Sequence, residues 1–433
     1  MSTVKYLCTI SFLPLLFIVS AVQRLIIFLK FNKHKDLKNL SIVFGSAPLL
    51  NNIYWSKSLV QIGLKAETFV FPIFDSISKL DDWDNILTYR YKYFPYPVRI
   101  FLAFAESILK YDIFVLSYRG FFLQKTSLRY FQAQLLKLAC KKIIIIPYGS
   151  DAHVYKAIKS TTWAHALMIS YPFASRQQQQ ISKDINYWNK HADVVIPGMM
   201  GFDGIGRWDV LTPSSLVLDL KDWNINTRSS SSRVPESDVV IVHSPNHRGC
   251  KGTEFIINAV EKLKSEGLKV ELKLLEGIKN DEVRNILSIE ADILVEQIIG
   301  TGHGLNALEG MAAGIPTISN LEDETYTLPM RRWSFFDECP LVSATPENIA
   351  DVLRKLISNS NLRSALGKAG RQYVEKYHGL DSAQYLFENV FEYIYGKKDS
   401  IINLYHPILG EYPNRTPRIK HPLVQNKIID LCN

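Results

Sequence analysis

The feature that most constrains the fold of this chain is the alternation of short apolar runs with helical segments. In the first half, apolar runs at 40–46, 111–118 and 141–147 are each followed by turn residues and a helical or mixed pattern. Short apolar runs that alternate with amphipathic helices are typical of parallel strands buried on both faces. The sequence therefore predicts an α/β fold with doubly wound parallel sheets.

A second series of the same kind begins near residue 238, after a serine-rich polar stretch at 223–238. That stretch has no apolar periodicity, which is typical of a linker between domains. Two Rossmann-like domains in tandem would face a cleft, since ligands bind outside the carboxyl ends of parallel strands. We expect the following divisions: a membrane segment at 1–35, an N-terminal domain at 36–215, a linker at 216–237, a C-terminal domain at 238–395 and a tail at 396–433.

The N-terminal segment is unlike the rest of the chain. Residues 6–31 are nearly all apolar, and a segment of this length is about long enough to cross a bilayer. Only Lys5 precedes it, whereas four lysines lie at or beyond its C-terminal end, so the positive-inside rule places the remaining chain in the cytoplasm. The sequence predicts a single N-terminal anchor on the cytoplasmic face of a membrane. A cleaved signal peptide that ends near Ala21 is the alternative. The four lysines are Lys30, Lys33, Lys35 and Lys38.

The composition narrows the classes of partner. With 47% hydrophobic and 21% charged residues, the 433-residue chain is globular. Its formal net charge of +8 favours anionic ligands. We expect no nucleic acid, because no zinc-type cysteine spacing and no basic stripe with interleaved aromatic residues occurs. The five scattered cysteines argue against a disulfide framework and indicate a reducing compartment.

A basic loop follows the first apolar run of the second series. Arg248 and Lys251 come directly before a helical pattern that starts near Thr253. Backbone N–H groups and the helix dipole favour an anion at such a position. The two cations would neutralise a diphosphate. A solvated turn that is merely basic is the alternative.

A glycine-rich turn further along the chain has two interpretations. Gly302 and Gly304 open a helix after an apolar run, with the spacing of a dinucleotide-binding turn, and Glu322 and Asp323 follow at about the distance of its ribose carboxylate. Glu309, about one turn into the same helix, could instead reach a ribose whose diphosphate lies on the glycine amides. The dinucleotide interpretation leaves the basic loop without a role. The two loops together favour a nucleotide diphosphate, and an NAD-dependent dehydrogenase is the less favoured alternative.

Residues 238–380 resemble the donor-binding domain of the GT-B-fold retaining glycosyltransferases of family 4, also named glycosyl transferases group 1. The segment GLNALEGMAAGIPTI is similar to the family's G-L-x-x-x-E-A-M-A-x-G-x-P-V stretch. The N-terminal domain has a looser likeness to the family's acceptor domain. The resemblance implies two Rossmann-like domains facing a cleft, a nucleotide diphosphate sugar as donor, retention of anomeric configuration, and catalysis without a metal or another cofactor.

The resemblance also implies roles for individual residues. Arg248 and Lys251 would hold the donor diphosphate and stabilise the leaving group, and Glu309 would bind the ribose hydroxyls. Many members carry a second glutamate eight positions earlier, where this chain has Thr301, and Glu296 is the candidate to replace that sugar-contacting carboxylate. The remaining donor-site candidates line the phosphate and sugar pocket, flank the nucleobase, or open the first helix of the N-terminal domain: Gly302, His303, Gly304, Glu276, Gly277, Gly45 and Ser46.

The acceptor side has fewer candidates. Asp151 and His153 follow an apolar run of the N-terminal domain, where they would contact the acceptor or the donor sugar, or act as a structural cap. The expected function is sugar transfer to an acceptor hydroxyl in the synthesis of cell-surface polysaccharide or glycolipid, with a lipid-linked or glycan acceptor. A catalytically weak, nucleotide-sugar-binding scaffold of the same fold is the alternative, because of Thr301.

Overall fold

A computed structural model of the chain describes residues 2–29, 37–73, 78–199, 201–226 and 238–428. These residues form two parallel sheets with helices packed around them. The α/β prediction is confirmed, since every strand pair is parallel apart from one isolated antiparallel bridge between Ser117 and Gly120.

The first sheet has six strands in the order β3-β2-β1-β4-β5-β6, which is the strand order of a Rossmann fold. Its central strands contain runs such as Ile113–Leu116 that are buried on both faces. The strands are β1 (Ser41–Ser46), β2 (Lys65–Val70), β3 (Asn85–Ile86), β4 (Ile113–Leu116), β5 (Lys142–Ile145) and β6 (Val194–Val195). The helices are α1 (Ser2–Leu29), α2 (Leu50–Gln61), α3 (Tyr96–Lys110), α4 (Gln132–Leu138), α5 (Thr161–Ser170), α6 (Pro172–Arg176) and α7 (Gln178–His191).

The second sheet has five strands in the order β11-β10-β9-β7-β8. Its strands are β7 (Val239–His243), β8 (Val270–Leu274), β9 (Ile293–Thr301), β10 (Thr317–Asn320) and β11 (Val342–Ser343). Its helices are α8 (Arg248–Lys251), α9 (Thr253–Ser265), α10 (Asn280–Ile289), α11 (Leu305–Ala312), α12 (Glu324–Trp333), α13 (Ile349–Ser358), α14 (Ser360–Tyr377) and α15 (Leu380–Ile394).

The last long helix packs against the first sheet's helices. The ring of Phe387 in α15 contacts Phe44 of β1 and Trp55 of α2, with centroids 5.5 and 5.9 Å apart. The side-chain amide of Gln384 donates to the carbonyl of Ser58 at 2.9 Å. Helix α15, from the C-terminal part of the chain, therefore packs on the first sheet's domain.

The segment expected to be a linker is only partly described, because residues 227–237 lie outside the described ranges. Its described part contacts the first domain through α2 and is also bound to the second sheet's domain. The N–H of Leu218 donates to the carbonyl of His378 at 2.8 Å, and the Asn226 side chain donates to two carbonyl groups of the α10 region. This part of the segment is therefore packed structure.

The N-terminal apolar segment is a helix, as the sequence predicts. Residues Ser11–Leu29 of α1 have a mean hydropathy of 2.3 and are long and apolar enough to cross a bilayer. The helix packs along α3 and α4 of the first sheet's domain. Of the lysines that support its orientation, Lys30, Lys33 and Lys35 lie outside the described residues.

Candidate active site

The strand orders place the two predicted phosphate loops side by side. In a doubly wound sheet, ligands bind where neighbouring strands lead to loops on opposite faces. In the second sheet this point lies between β7 and β9. The basic loop with Arg248 and Lys251 follows β7, and the glycine-rich turn Gly302–Gly304 follows β9. The tertiary structure therefore brings together two segments about fifty residues apart in the chain.

Lys251, Glu296 and Gly304 form a buried hydrogen-bonded group at this point. The ammonium of Lys251 lies 3.1 Å from Oε1 of Glu296 and donates to Oε1 of Gln297 at 2.8 Å. The N–H of Gly304, at the start of α11, donates to the same Glu296 oxygen at 2.8 Å. The other oxygen of Glu296 is buried and has no hydrogen-bond partner in the described part of the chain. The Glu296 carboxylate thus accepts hydrogen bonds from donors that could bind a phosphate. Its second oxygen could accept a further hydrogen bond.

Arg248 lies at the exposed edge of the same loop. Its guanidinium donates to Glu254 and to Glu276, each at 2.8 Å. Glu276, the predicted nucleobase neighbour, therefore pairs with the predicted phosphate ligand, and Gly277 follows it in a left-handed turn with φ of 68°. Ion pairs between exposed side chains are weak because water screens them, so a diphosphate can compete for Arg248.

His303 is enclosed between the glycine-rich turn and the C-terminal helices. Its ring lies 5.5 Å from that of His378 and stacks near Phe336. Burial lowers the pKa of His303 to about 4, so the ring is neutral. Neither ring nitrogen of His303, nor Nε2 of His378, has a hydrogen-bond partner among the residues described. No sequence pattern identifies His378 as a neighbour of this turn, because it lies 75 positions away.

Glu309 points from α11 into a buried position near the first domain. It is 6% exposed, and one oxygen accepts from the Asn306 side chain at 3.0 Å. Burial raises the pKa of Glu309 to about 7, against the opposing effects of Asn306 and Arg284. Glu309 in turn contributes to the raised pKa of Tyr54 in α2, where burial is the main cause. Glu309 therefore interacts electrostatically with groups of both domains.

A cleft of about 230 Å³ lies between α2 and the start of α10. Tyr54 and Arg284 line it, and both interact electrostatically with Glu309. The ammonium of Lys79 lies 2.7 Å from Asp281 across the two domains. Nε of Arg284 and Oδ1 of Asn280 are buried there without hydrogen-bond partners in the described ranges. The cleft is therefore lined by charged and polar side chains of both domains.

The glycine-rich turn also touches the first domain. A Cβ at Gly302, whose φ is 90°, would lie 2.6 Å from Cγ of Met199. Helix α5 lies over α8 and β9, and the hydroxyl of Ser170 accepts from the N–H of Cys250 at 2.9 Å. The domains therefore meet directly over the predicted phosphate loops.

The candidates from the first domain are buried among its own residues. Gly45 and Ser46 end β1, in agreement with the predicted strand at 40–46, but α2 begins only at Leu50, so the expectation that they open the first helix is not met. A Cβ at Gly45 would lie 2.1 Å from the carbonyl oxygen of Phe69 on the neighbouring strand. Glycine at position 45 therefore allows close strand pairing in this structure.

Asp151 and His153 have structural surroundings. The Asp151 carboxylate accepts from three backbone N–H groups, those of Tyr118, Tyr148 and Gly149, at 3.0–3.1 Å. Burial still raises its pKa to about 6. His153 is buried with its ring near Trp163 and against Gly201. These contacts fit the structural cap that the sequence left open.

The acidic residues of the dinucleotide interpretation have other partners. Glu322 accepts from Ser343 and pairs with Lys427, and Asp323 caps the start of α12. The glycine-rich turn follows the third strand of its sheet along the chain, whereas a dinucleotide turn follows the first. Within the described residues, no group of three or more His, Cys, Asp or Glu side chains is arranged to hold a metal ion.

Comparisons with known proteins identify the fold. No family model and no curated protein matches this sequence. Among solved structures, sucrose-phosphate synthase from Thermosynechococcus elongatus aligns with a TM-score of 0.54 at 13% identity, over 83% of this chain and 100% of that one. The UDP-GlcNAc 2-epimerase from Neisseria meningitidis, bound to UDP-GlcNAc, aligns with a TM-score of 0.41 at 11% identity, over 82% and 100%. The two parallel sheets and the alignment with sucrose-phosphate synthase together show that the chain has the GT-B fold.

Proposed function

We propose that this protein is a glycosyltransferase that moves a sugar from a nucleotide diphosphate donor to an acceptor hydroxyl. The observation that carries the proposal is the group formed by Lys251, Glu296 and the Gly304 N–H, with Glu309 on the same helix. It combines donors for a diphosphate with carboxylates for a sugar and a ribose. The shared GT-B fold and the resemblance to family 4 support the proposal.

In the proposed donor complex, the diphosphate lies at the start of α11. The Gly304 N–H, the Lys251 ammonium and the Arg248 guanidinium would stabilise the negative charge that develops on the leaving phosphate. Fixed donors of this kind are commonly the largest contribution to catalysis of such reactions. For the diphosphate to bind, Glu296 must release the Gly304 N–H and Lys251.

The released carboxylate of Glu296 then has a role toward the donor sugar. One of its oxygens has no partner even in the present structure, and a sugar hydroxyl is a suitable donor for it. In this proposal Glu296 replaces the glutamate that family 4 members carry at the position of Thr301. Retention would follow if the acceptor hydroxyl attacks from the leaving-group side, with a donor phosphate oxygen as the base.

A second candidate function is a nucleotide-sugar-binding scaffold with weak catalysis. It is favoured by one observation: Arg248, Lys251 and the Gly304 N–H are all satisfied by carboxylates of the chain itself. If Glu296 does not leave its position, the phosphate site is closed.

We also propose that α1 attaches the protein to the cytoplasmic face of a membrane. Nucleotide sugars are made in the cytosol, and an apolar helix would hold the cleft near the bilayer. A lipid-linked acceptor, in polysaccharide or glycolipid synthesis, then becomes the favoured substrate.

The test is a panel of nucleotide diphosphate sugars, assayed for binding and for hydrolysis or transfer. We expect one donor to bind and to turn over, and Lys251→Met to weaken binding of the free nucleoside diphosphate at least tenfold. Lys262→Met, on the exposed side of α9, is the control. Binding without turnover for every donor would favour the scaffold, and no binding of any nucleotide would contradict both candidates.

A further inference from the structure

We propose that α1 lies in the plane of the membrane surface and does not cross the bilayer. The proposal rests on the membrane attachment proposed above and specifies its geometry. It is independent of whether the protein transfers sugar. The two faces of the helix have different surroundings.

One face of α1 is fixed to the first domain. The ring of Phe12 stacks on that of Phe101 in α3, with centroids 4.3 Å apart and the rings nearly parallel. Leu16 is 1% exposed, and Ser20 and Gln23 are buried. The spacing from residue 12 to residue 23 corresponds to about 17 Å of helix, at about 1.5 Å per residue. The contact is therefore continuous over roughly three turns.

This contact conflicts with a transmembrane position. The hydrocarbon core of a bilayer is about 30 Å thick and needs roughly 20 apolar residues of helix. The only apolar stretch of that length in the described helices is Ser11–Leu29, and the packed stretch takes up most of it. Its partners α3 and α4 also pack against the rest of the first domain. A helix that keeps these contacts cannot enter the hydrocarbon core along its full length.

The opposite face of α1 is apolar and uncovered. Ile18, Val22, Leu25 and Leu29 are 59%, 45%, 56% and 74% exposed. Their spacing of three or four residues places them in one stripe along the helix. A contiguous exposed apolar surface of this kind marks an interaction site.

The charge of the segment identifies the occupant as an anionic bilayer. Residues 1–35 contain no Asp or Glu, and their basic residues include Lys5 and the exposed Arg24. Basic residues near an apolar helix face are attracted to anionic lipid headgroups, and the long Arg side chain can reach them from the interface. A second copy of the same face would bring like charges together. An in-plane helix instead buries its apolar face about 5–10 Å into the interface.

The first experiment measures flotation of the full-length protein with sealed vesicles of 30% phosphatidylglycerol and 70% phosphatidylcholine. We expect Ile18→Glu combined with Leu25→Glu to lower the bound fraction at least tenfold without changing the melting temperature. The matched control is Ile289→Glu on α10, which is 57% exposed but far from α1 in the sequence. Unchanged vesicle binding of the double variant would overturn the proposed lipid-facing stripe. The stripe would instead be a dimer interface if the wild type is a dimer, and the double variant is a monomer that still binds vesicles.

The second experiment measures on which side of the membrane the N-terminus lies. Ser2→Cys, in a background where Cys8, Cys140 and Cys432 are serine, is reacted with a membrane-impermeant maleimide after the protein has bound to sealed vesicles. Complete labelling without detergent supports the in-plane helix. Vesicle binding with labelling only after detergent would overturn it and leave membrane attachment intact. Absence of vesicle binding by the wild type would overturn both the in-plane helix and the membrane attachment.

Discussion

The Lys251 ammonium and the Glu296 carboxylate are 3.1 Å apart at the start of α11, and Glu296 is fully buried there. The carboxylate holds the two groups, Lys251 and the Gly304 N–H, that the proposed donor diphosphate requires. Donor binding is therefore an exchange of one anion for another. A weaker competing group at position 296 should therefore increase the affinity for the diphosphate.

We expect Glu296→Gln to bind a free nucleoside diphosphate about tenfold more tightly than the wild type. The amide is a weaker competitor for Lys251 than the carboxylate, since hydrogen bonds between charged groups are stronger by roughly 1 kcal/mol or more. Sugar transfer should fall at least tenfold, because the carboxylate that is proposed to accept a hydrogen bond from the donor sugar is lost. Calorimetry and a transfer assay measure the two effects. Glu322→Gln is the control, and an unchanged transfer rate for Glu296→Gln would remove Glu296 from the site.

Arg248→Ala should weaken nucleoside diphosphate binding by about tenfold to a hundredfold, and nucleoside binding should not change. The lost interaction is a charge-assisted hydrogen bond, worth roughly 1.5–3 kcal/mol. Stability should change little, because the ion pairs of Arg248 are exposed. Arg354→Ala is a matched control, since Arg354 also pairs with two carboxylates on the surface of this domain. Equal weakening of nucleoside and nucleoside diphosphate would contradict the phosphate role.

The stability contribution of Glu309 should depend on pH. Its pKa is raised from 4.5 to about 7 in the folded protein, so the folded state keeps the proton over a range in which the unfolded chain has lost it. The free energy of unfolding contributed by Glu309 therefore falls as the pH rises from about 4.5 to 7. Glu309→Gln should stabilise the protein by roughly 3 kcal/mol at pH 8, and by nearly nothing at pH 4.5, in urea unfolding.

The same carboxylate should distinguish ribose from deoxyribose. Ribose hydroxyls bind the ionised carboxylate more strongly than the acid, so ribonucleoside diphosphate affinity should increase between pH 6 and 8. A deoxyribonucleoside diphosphate should lack this increase, and Glu309→Gln should abolish it. If the variant discriminates the two sugars as well as the wild type does, Glu309 does not contact the ribose.

Gly302→Ala should destabilise the protein more than Gly267→Ala. Both glycines have φ near 90°, where alanine costs roughly 1–2 kcal/mol. A Cβ at Gly267 meets open space, whereas one at Gly302 meets Met199 of the other domain. Thermal unfolding should show an additional loss of about 1–3 kcal/mol for Gly302→Ala. Adding Met199→Ala to the Gly302→Ala variant should recover part of the lost stability. If nothing is recovered, the contact between Gly302 and Met199 is not the cause of the loss.

The sequence by itself determined the fold class and the positions of the two loops that we propose to bind the phosphates. Apolar runs such as Ile113–Leu116 can be buried on both faces only in a covered parallel sheet, so their alternation with helices sets the architecture. Local pattern also placed Gly304 at a helix start and Glu309 one turn further on. Strand and helix positions depend mainly on residues that are close together in the chain. The periodicity of apolar residues and the residue types at turns therefore predict them directly.

Only the tertiary structure decided which side chains meet. Glu296 and Lys251 are separated by 45 positions, and the parallel pairing of β7 with β9 is what brings their loops together. The pairing of His303 with His378 and the packing of α1 on α3 also depend on contacts between distant segments. Such contacts follow from how sheets and helices pack against each other, and no local pattern encodes their partners. For that reason the sequence could name Lys251, Gly304 and Glu296 as separate candidates, but not the hydrogen bonds that join them.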